Sequence, residues 1–215
     1  KGNWCLNILA REYYKEKKYK KQIEVMEKML LIEPDKWQTN DWISDVFSRL
    51  KKFNKAEEHC QKALDLVPEP KNISCLFRIA DAYFIDKKYK KQIEFLKKVI
   101  LIKPDNYYSY WALGHAYELL EDYKNSEKYF KEYVAFKTDN PGLNESAHTS
   151  ISSTRKNRFA DLPAAVKHAE SAYRVNPNSD LAINNLIKIY TELAQFDKAR
   201  RLIEKKLTLF EKDTL

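Results

Sequence analysis

The sequence predicts an all-α chain folded as a solenoid of antiparallel helix pairs. Prolines recur near a 34-residue period, small and aromatic residues recur in phase with them, and glycine is nearly absent. Pro34 and Pro68 lie 34 residues apart, Pro104 follows after 36, and Pro177 stands 73 further on, two periods with a short insertion. Only 3 glycines occur in 215 residues, which excludes a glycine-rich phosphate loop and argues against a sheet built on tight turns. One helix pair cannot bury both of its faces, so neighbouring pairs must stack.

With proline as position 32, six units run over 3–36, 37–70, 73–106, 107–140, 146–179 and 180–213, one array over 1–215. Helix A of each unit carries its apolar stripe at positions 4, 7, 8 and 11, and helix B at 20, 24, 27 and 28. Position 7 is Leu9, Ile43, Ile79, Leu113 and Leu186, and position 11 is Tyr13, Phe47, Tyr83, Tyr117 and Tyr190. Position 8 is small in the first four units (Ala10, Ser44, Ala80, Gly114), as are Ala56, Ala165 and Ala199 at position 20, which lets the two axes approach. The turn between helices falls near positions 15–17, and the proline stops helix B.

The string KKYKKQIE occurs twice, from Lys17 and from Lys87, always at positions 15–22. Tyr19 and Tyr89 are expected as core aromatics, with Ile23 and Ile93 buried beside them. Lys17 and Lys18 suit the negative end of helix A, whereas Lys20 and Lys21 oppose the dipole at the start of helix B. Pairing of Lys20 with Glu24 would offset about 0.2–0.5 kcal/mol of that. Gln22 and Gln92 replace the usual alanine, and the pattern gives no reason for them. Unit five is irregular: its helix A, near 146–159, puts Ser152, Ser153 and Lys156 at core positions. Either this helix slips in register to use Leu143, Ala147 and Ile151, or it is partly irregular. Thr138 stands where a proline is expected, and TDNPGLNE before the helix reads as a loop.

This pattern resembles the tetratricopeptide repeat (TPR), most closely in YYSYWALGHAYELLEDYKNSEKYF from Tyr107, and the likeness covers nearly the whole chain. The resemblance implies a right-handed superhelix whose concave groove is lined by positions 2, 5, 6, 9, 12 and 13 of each helix A. Here those positions hold Trp4, Asn7, Arg11 and Tyr14, then Asp41, Trp42, Asp45 and Arg49, then Phe77, Arg78, Asp81 and Phe84. Tyr108, Trp111, His115 and Glu118 follow, with Asn184, Asn185 and Lys188 in the last unit. Aromatic rings that the core does not need, set among arginines, are favoured interface anchors. The expected function is therefore a scaffold binding a peptide or protein segment in the groove. Chaperone-binding members clamp a C-terminal carboxylate with lysine, asparagine and arginine at fixed positions. Of Asn7, Arg11, Trp42, Ser74 and Arg78, only Arg78 fits, so that clamp is not expected. LAREYYKEKKYKKQIE also looks like the repeat regions attached to some bacterial family 2 glycosyltransferases, so an accessory region of a larger enzyme is the alternative. The chain opens at Lys1 without an initiator Met, which accords with an excised segment.

Composition narrows the partners. The chain is 44% apolar with a mean hydropathy of -0.66, and no apolar run approaches the roughly 20 residues of a membrane span. Net charge is +8, carried by 31 Lys and only 8 Arg. Bidentate phosphate reading favours Arg, so nucleic acid is not expected, while peripheral contact of a basic edge with an acidic partner stays open, as does self-association. Three cysteines (Cys5, Cys60, Cys75) with no CxxC spacing point away from a disulfide framework and toward a reducing, cytoplasmic setting. In that setting the acceptor-like strings at Asn72 and Asn144 carry no meaning. His59, His115, His148 and His168 make no metal-ligand spacing, and no nucleophile or zinc motif occurs. Neither catalysis, metal nor cofactor is expected.

Overall fold

The computed structural model describes residues 2–67, 73–136 and 139–213. Pro68, Asn72 and Thr138, singled out above, lie outside the described residues. Among the described residues there are twelve α-helices and no strand. They fall into two compact units, Lys1–Pro104 and Asp105–Leu215. The first holds α1 (Gly2–Lys15), α2 (Tyr19–Ile32), α3 (Trp37–Arg49), α4 (Phe53–Leu66), α5 (Ser74–Ile85) and α6 (Tyr89–Ile102). The second holds α7 (Tyr107–Leu119), α8 (Tyr123–Ala135), α9 (Pro141–Phe159), α10 (Leu162–Val175), α11 (Asp180–Glu192) and α12 (Phe196–Asp213).

Helices pair in chain order, and each new pair leans its first helix on the preceding pair: α5 on α3 and α4, α9 on α7 and α8, α11 on α9 and α10. The core of the first unit is Met26, Met29, Ile43, Phe47, Ile79, Tyr83, Leu96 and Val99. That of the second is Leu113, Phe130, Tyr133, Ile151, Ile183, Leu186 and Ile189. Small residues set the helix spacing. A Cβ on Gly114 would lie 2.7 Å from the buried Phe130 ring, so only glycine admits α8 at this distance. Ser44 and Ser152 occupy the same contact in other pairs and donate to the carbonyls of Ala56 and Ala165, each at 2.8 Å, so these buried hydroxyls are satisfied.

The turns between paired helices repeat one geometry. Lys17, Lys51, Lys87, Glu121 and Ala194 take the left-handed conformation at φ 55–59°. The next amide then donates five residues back, as Lys18 to Tyr13 and Lys88 to Tyr83, both 2.8 Å, and Asp122 to Tyr117 at 3.0 Å. The fifth turn differs: Ala160 is the left-handed residue and Asp161 donates six residues back, to Arg155. One extra residue at the end of α9 explains the irregular unit. Counted back through it, the register slips, and Ala147 and Ile151 are fully buried with Leu143 packed beside them. Ser152 stays in the core as the helix-contact serine, whereas Lys156 reaches Glu192 at 2.5 Å.

Three expectations are corrected. Cys60 and Cys75 form a disulfide between α4 and α5. Spacing hides the pair because the chain folds back between those helices, bringing the Cα atoms to 5.5 Å across a separation of 15. The cysteines therefore give no argument for a reducing compartment; Cys5 is the exposed free thiol. Tyr19 and Tyr89 are half-buried rather than core, because they cap the rims at Tyr14 and Phe84, while Ile23 and Ile93 are buried. Among the described residues no ion pair joins Lys20 to Glu24, and the equivalent Glu94 instead bridges Lys91 and Lys98 at 3.0 and 3.1 Å.

Candidate functional site

In the first unit, α1, α3 and α5 bring candidate side chains together in a row. The Arg11 guanidinium lies 5.6 Å from the Trp42 ring, and that of Arg49 lies 5.2 Å from the Tyr14 ring. Such contacts are each worth about 0.5–1 kcal/mol at exposed sites. Arg49 also donates to Asp45 at 2.9 Å, and this bond holds its guanidinium above the ordinary range. Arg78 from α5 pairs with the Asp41 carboxylate, donates to the Asp41 carbonyl at 3.3 Å and stands 3.6 Å from Asp45. Desolvation pushes the Asp81 carboxyl up even though the residue remains exposed.

Two cavities open among these side chains. One of about 250 Å³ is lined by Arg11, Tyr14, Gln22, Trp42 and Asp45. The other, about 270 Å³, is lined by Asp45, Ser48, Arg49, Lys51, Arg78, Asp81, Ala82 and Ile85. Gln22 is 3% exposed, and its amide oxygen has no hydrogen-bond partner among the described residues. Gln92 has the same orphaned oxygen at the equivalent place in α6. An unpaired buried acceptor costs about 1–3 kcal/mol, and Gln22 is at the same time one of the residues lining the first cavity. Trp4 stands 71% exposed on α1, with Asn7 and Phe77 half-buried on their helices and the Phe84 ring tilted against that of Tyr89 at 6.1 Å.

In the second unit α7 carries a stack: Tyr108 on Trp111 at 5.7 Å, and Trp111 on His115 at 5.5 Å and 12°. Trp111 also packs on the core cluster of Phe130, Tyr133, Ala147 and Ile151, so part of its ring serves the fold. Its indole N–H is buried without a partner among the described residues. Glu118 accepts from Ser150 at 3.3 Å, and burial raises its carboxyl. Asn185 donates to Ser152 at 3.2 Å, while Asn184 receives a bond from Lys206 and Lys188 is exposed.

The fold also joins groups that spacing does not flag. His148 and His168 meet at 3.2 Å, Nδ1 to Nδ1, between α9 and α10. Burial lowers both imidazoles, His168 to about 4 with help from its partner His148. Among the described residues no group of three or more His, Cys, Asp or Glu could hold a metal ion, and no helix is long and apolar enough to cross a membrane.

Comparison with known proteins agrees with this architecture. The family described as tetratricopeptide repeat matches residues 38–70, 73–106 and 107–140. Sperm-associated antigen 1 of Rattus norvegicus is 40% identical over 58 residues, a match spanning 27% of this chain and 6% of that protein. Among solved structures, that titled "YrrB: a TPR protein with an unusual peptide-binding site" aligns with a TM-score of 0.64 at 16% identity, over 86% of this chain and 92% of that one. BtubC from P. vanneervenii aligns at 0.63 and 16%, over 92% and 90%. MamA from Desulfovibrio magneticus aligns at 0.58 and 15%, over 83% and 97%. At these identities the structural likeness speaks to fold alone. With three tetratricopeptide repeats matched in sequence and helix pairs of the same build throughout both units, the chain has the all-α tetratricopeptide-repeat fold.

Proposed function

We propose that the chain is a protein-interaction scaffold and that the first unit holds the principal anchor for a peptide segment. The observation that carries this is the cavity among Arg11, Tyr14, Gln22, Trp42 and Asp45. It offers two aromatic walls, a guanidinium and a carboxylate. An extended peptide supplies what that combination lacks: a side chain to cover the rings and polar groups to meet the charges. The peptide-binding site named for YrrB supports the general idea and says nothing of the residues used here. The ion pairs among Asp41, Asp45, Arg49 and Arg78 hold α3 and α5 in place, which keeps the anchor preorganised.

In the second unit, the Tyr108, Trp111 and His115 stack with Glu118 offers a weaker contact surface, since Trp111 is shared with the core. The test is selection of phage-displayed 12-residue peptides on the intact protein. Peptides so enriched should lose at least tenfold in affinity with Trp42→Ala and about two- to threefold with Trp111→Ala, while helical circular dichroism stays unchanged. Peptides that bind the Trp42 variant as well as the parent protein would place the anchor elsewhere.

A further inference from the structure

The positive charge of this protein is not spread over it. Residues 1–104 carry 23 Lys and Arg against 15 Asp and Glu, whereas residues 105–215 carry 16 of each. The entire +8 therefore belongs to the first unit. Within it, three segments, 17–21, 51–55 and 87–91, hold 11 lysines, no arginine and no acidic residue. All three are the turns between paired helices.

Those turns sit side by side. Lys51 of the second turn reaches Asp86 beside the third at 2.6 Å, and Lys88 of the third lies 4.5 Å from the Phe53 ring that starts α4. Leu50 lines one cavity of about 360 Å³ with Lys17, Lys18, Lys20 and Lys21 of the first turn. Beside the third turn, Ile85 is 75% exposed. Among the described residues no carboxylate pairs with Lys17, Lys20, Lys21, Lys52, Lys55, Lys87 or Lys90.

The helices themselves do not ask for these lysines. Lys18, Lys52 and Lys88 are the N-caps of α2, α4 and α6, and none makes a side-chain cap. Asp122 and Asp161 hold the same position in the second unit, at nearly the same dihedrals, and do cap their helices. Lys20, Lys21, Lys55, Lys90 and Lys91 further load the positive end of three dipoles. A charge pattern that opposes local folding preference in three successive turns calls for a partner outside the chain.

We propose that this lysine edge of the first unit docks on an anionic lipid bilayer. Three neighbouring turns put their lysines on one edge of the unit, and long ammonium-bearing stems suit a diffuse negative surface rather than a fixed bidentate acceptor. Bases of a nucleic acid would need open rings to stack on, but Tyr13, Phe47 and Phe53 already lie under Lys21, Lys55 and Lys88. The exposed Ile85 adds an apolar contact at the interface.

The test is co-sedimentation of the whole chain with vesicles of 70:30 phosphatidylcholine and phosphatidylserine, against pure phosphatidylcholine. Binding is expected only with phosphatidylserine and should fall steeply between 50 and 500 mM salt, on the scale of the Debye length. One neutralisation per turn, Lys20→Gln, Lys52→Gln and Lys90→Gln together, should lower the partition coefficient about a hundredfold, at roughly fivefold per lysine. The same charge change in the second unit, Lys128→Gln, Lys167→Gln and Arg200→Gln, should leave it within about twofold. Equal losses from both triples would overturn the edge in favour of net charge. Binding to poly-glutamate or duplex DNA but not to the vesicles would overturn the bilayer, and binding to none of the three would overturn the proposal outright.

Discussion

The two units are built from the same helix pair and finish their helices in opposite ways. In the first, none of the five described N-caps of α2 to α6 (Lys18, Lys36, Lys52, Ile73, Lys88) caps its helix with a side-chain hydrogen bond. In the second, all five of α7 to α11 do: Asn106, Asp122, Asn140, Asp161 and Ser179 each accept from a backbone amide of the first helical turn. A cap is worth about 1 kcal/mol. The second unit therefore holds its helices by local chemistry and is electrically neutral, while the first leaves its helix starts without side-chain caps and carries the surplus charge. Stability within a repeat fold and the character of its surface are set at the same few positions, and the two units spend those positions differently.

The largest effect is expected from the covalent link that only the first unit carries among the described residues. Opening Cys60–Cys75 by Cys60→Ser with Cys75→Ser should cost about 3 kcal/mol in the chain-entropy view. Hydrogen exchange should accelerate in α4 and α5 and stay unchanged in α9 to α11. A uniform change in both units would mean that they do not unfold separately. Next comes Gly114→Ala. In an exposed helix this change gains up to about 1 kcal/mol, but here the methyl collides with Phe130, and a net loss of about 1–2 kcal/mol in the second unit is expected. Stabilisation by this variant would show that α8 yields easily. Third, Asp122→Ala should cost about 1 kcal/mol, whereas Lys52→Ala at the matching position should cost nothing or stabilise. Equal losses in urea titration would break the comparison of caps.

The smallest effect concerns pH. His148 and His168 are held neutral in the second unit by burial, with Arg174, Lys131 and Lys167 nearby and Glu127 opposing them. Unfolded imidazoles titrate near 6.5, and folded His168 near 4. Between those values the unfolded chain binds more protons, so stability present above about 6.5 is lost as pH falls toward 4. His168→Gln should flatten that part of the stability curve, read by thermal denaturation at pH 7 and pH 5. An unchanged slope would assign the acid sensitivity to other groups.

Much of the fold is legible in the sequence because its spacing is fixed by packing. Alanine, serine and glycine at position 8 mark the close contacts, as Ser44 and Gly114 demonstrate. The failures have physical causes. An extra residue before Ala160 shifts α9 by one register, and a frame counted back from Pro177 passes straight through it. Cys60 with Cys75, and His148 with His168, meet only because helices fold back on each other, which no local spacing records. The candidate surface was legible as a set of positions, because Arg11, Trp42, Asp45 and Arg78 follow helix A periodicity. Its polar centre was not. Gln22 reads as a departure from the consensus alanine, and its place among the residues lining the cavity beside Trp42 emerges only from the packing of α2 against α1 and α3.

The central claim is that the turn lysines of the first unit are held against the preference of the helices they begin. Replacing Lys18, Lys52 and Lys88 together by Asp tests it most directly, since the matching backbone already accepts Asp122 and Asp161 as caps. Thermal denaturation of this variant should show Tm raised by roughly 6–12 °C, from about 1 kcal/mol per cap and about 2–4 °C per kcal/mol in a chain of this size. A Tm equal to or below that of the parent chain would contradict the account, because the lysines would then be the residues these helix starts require.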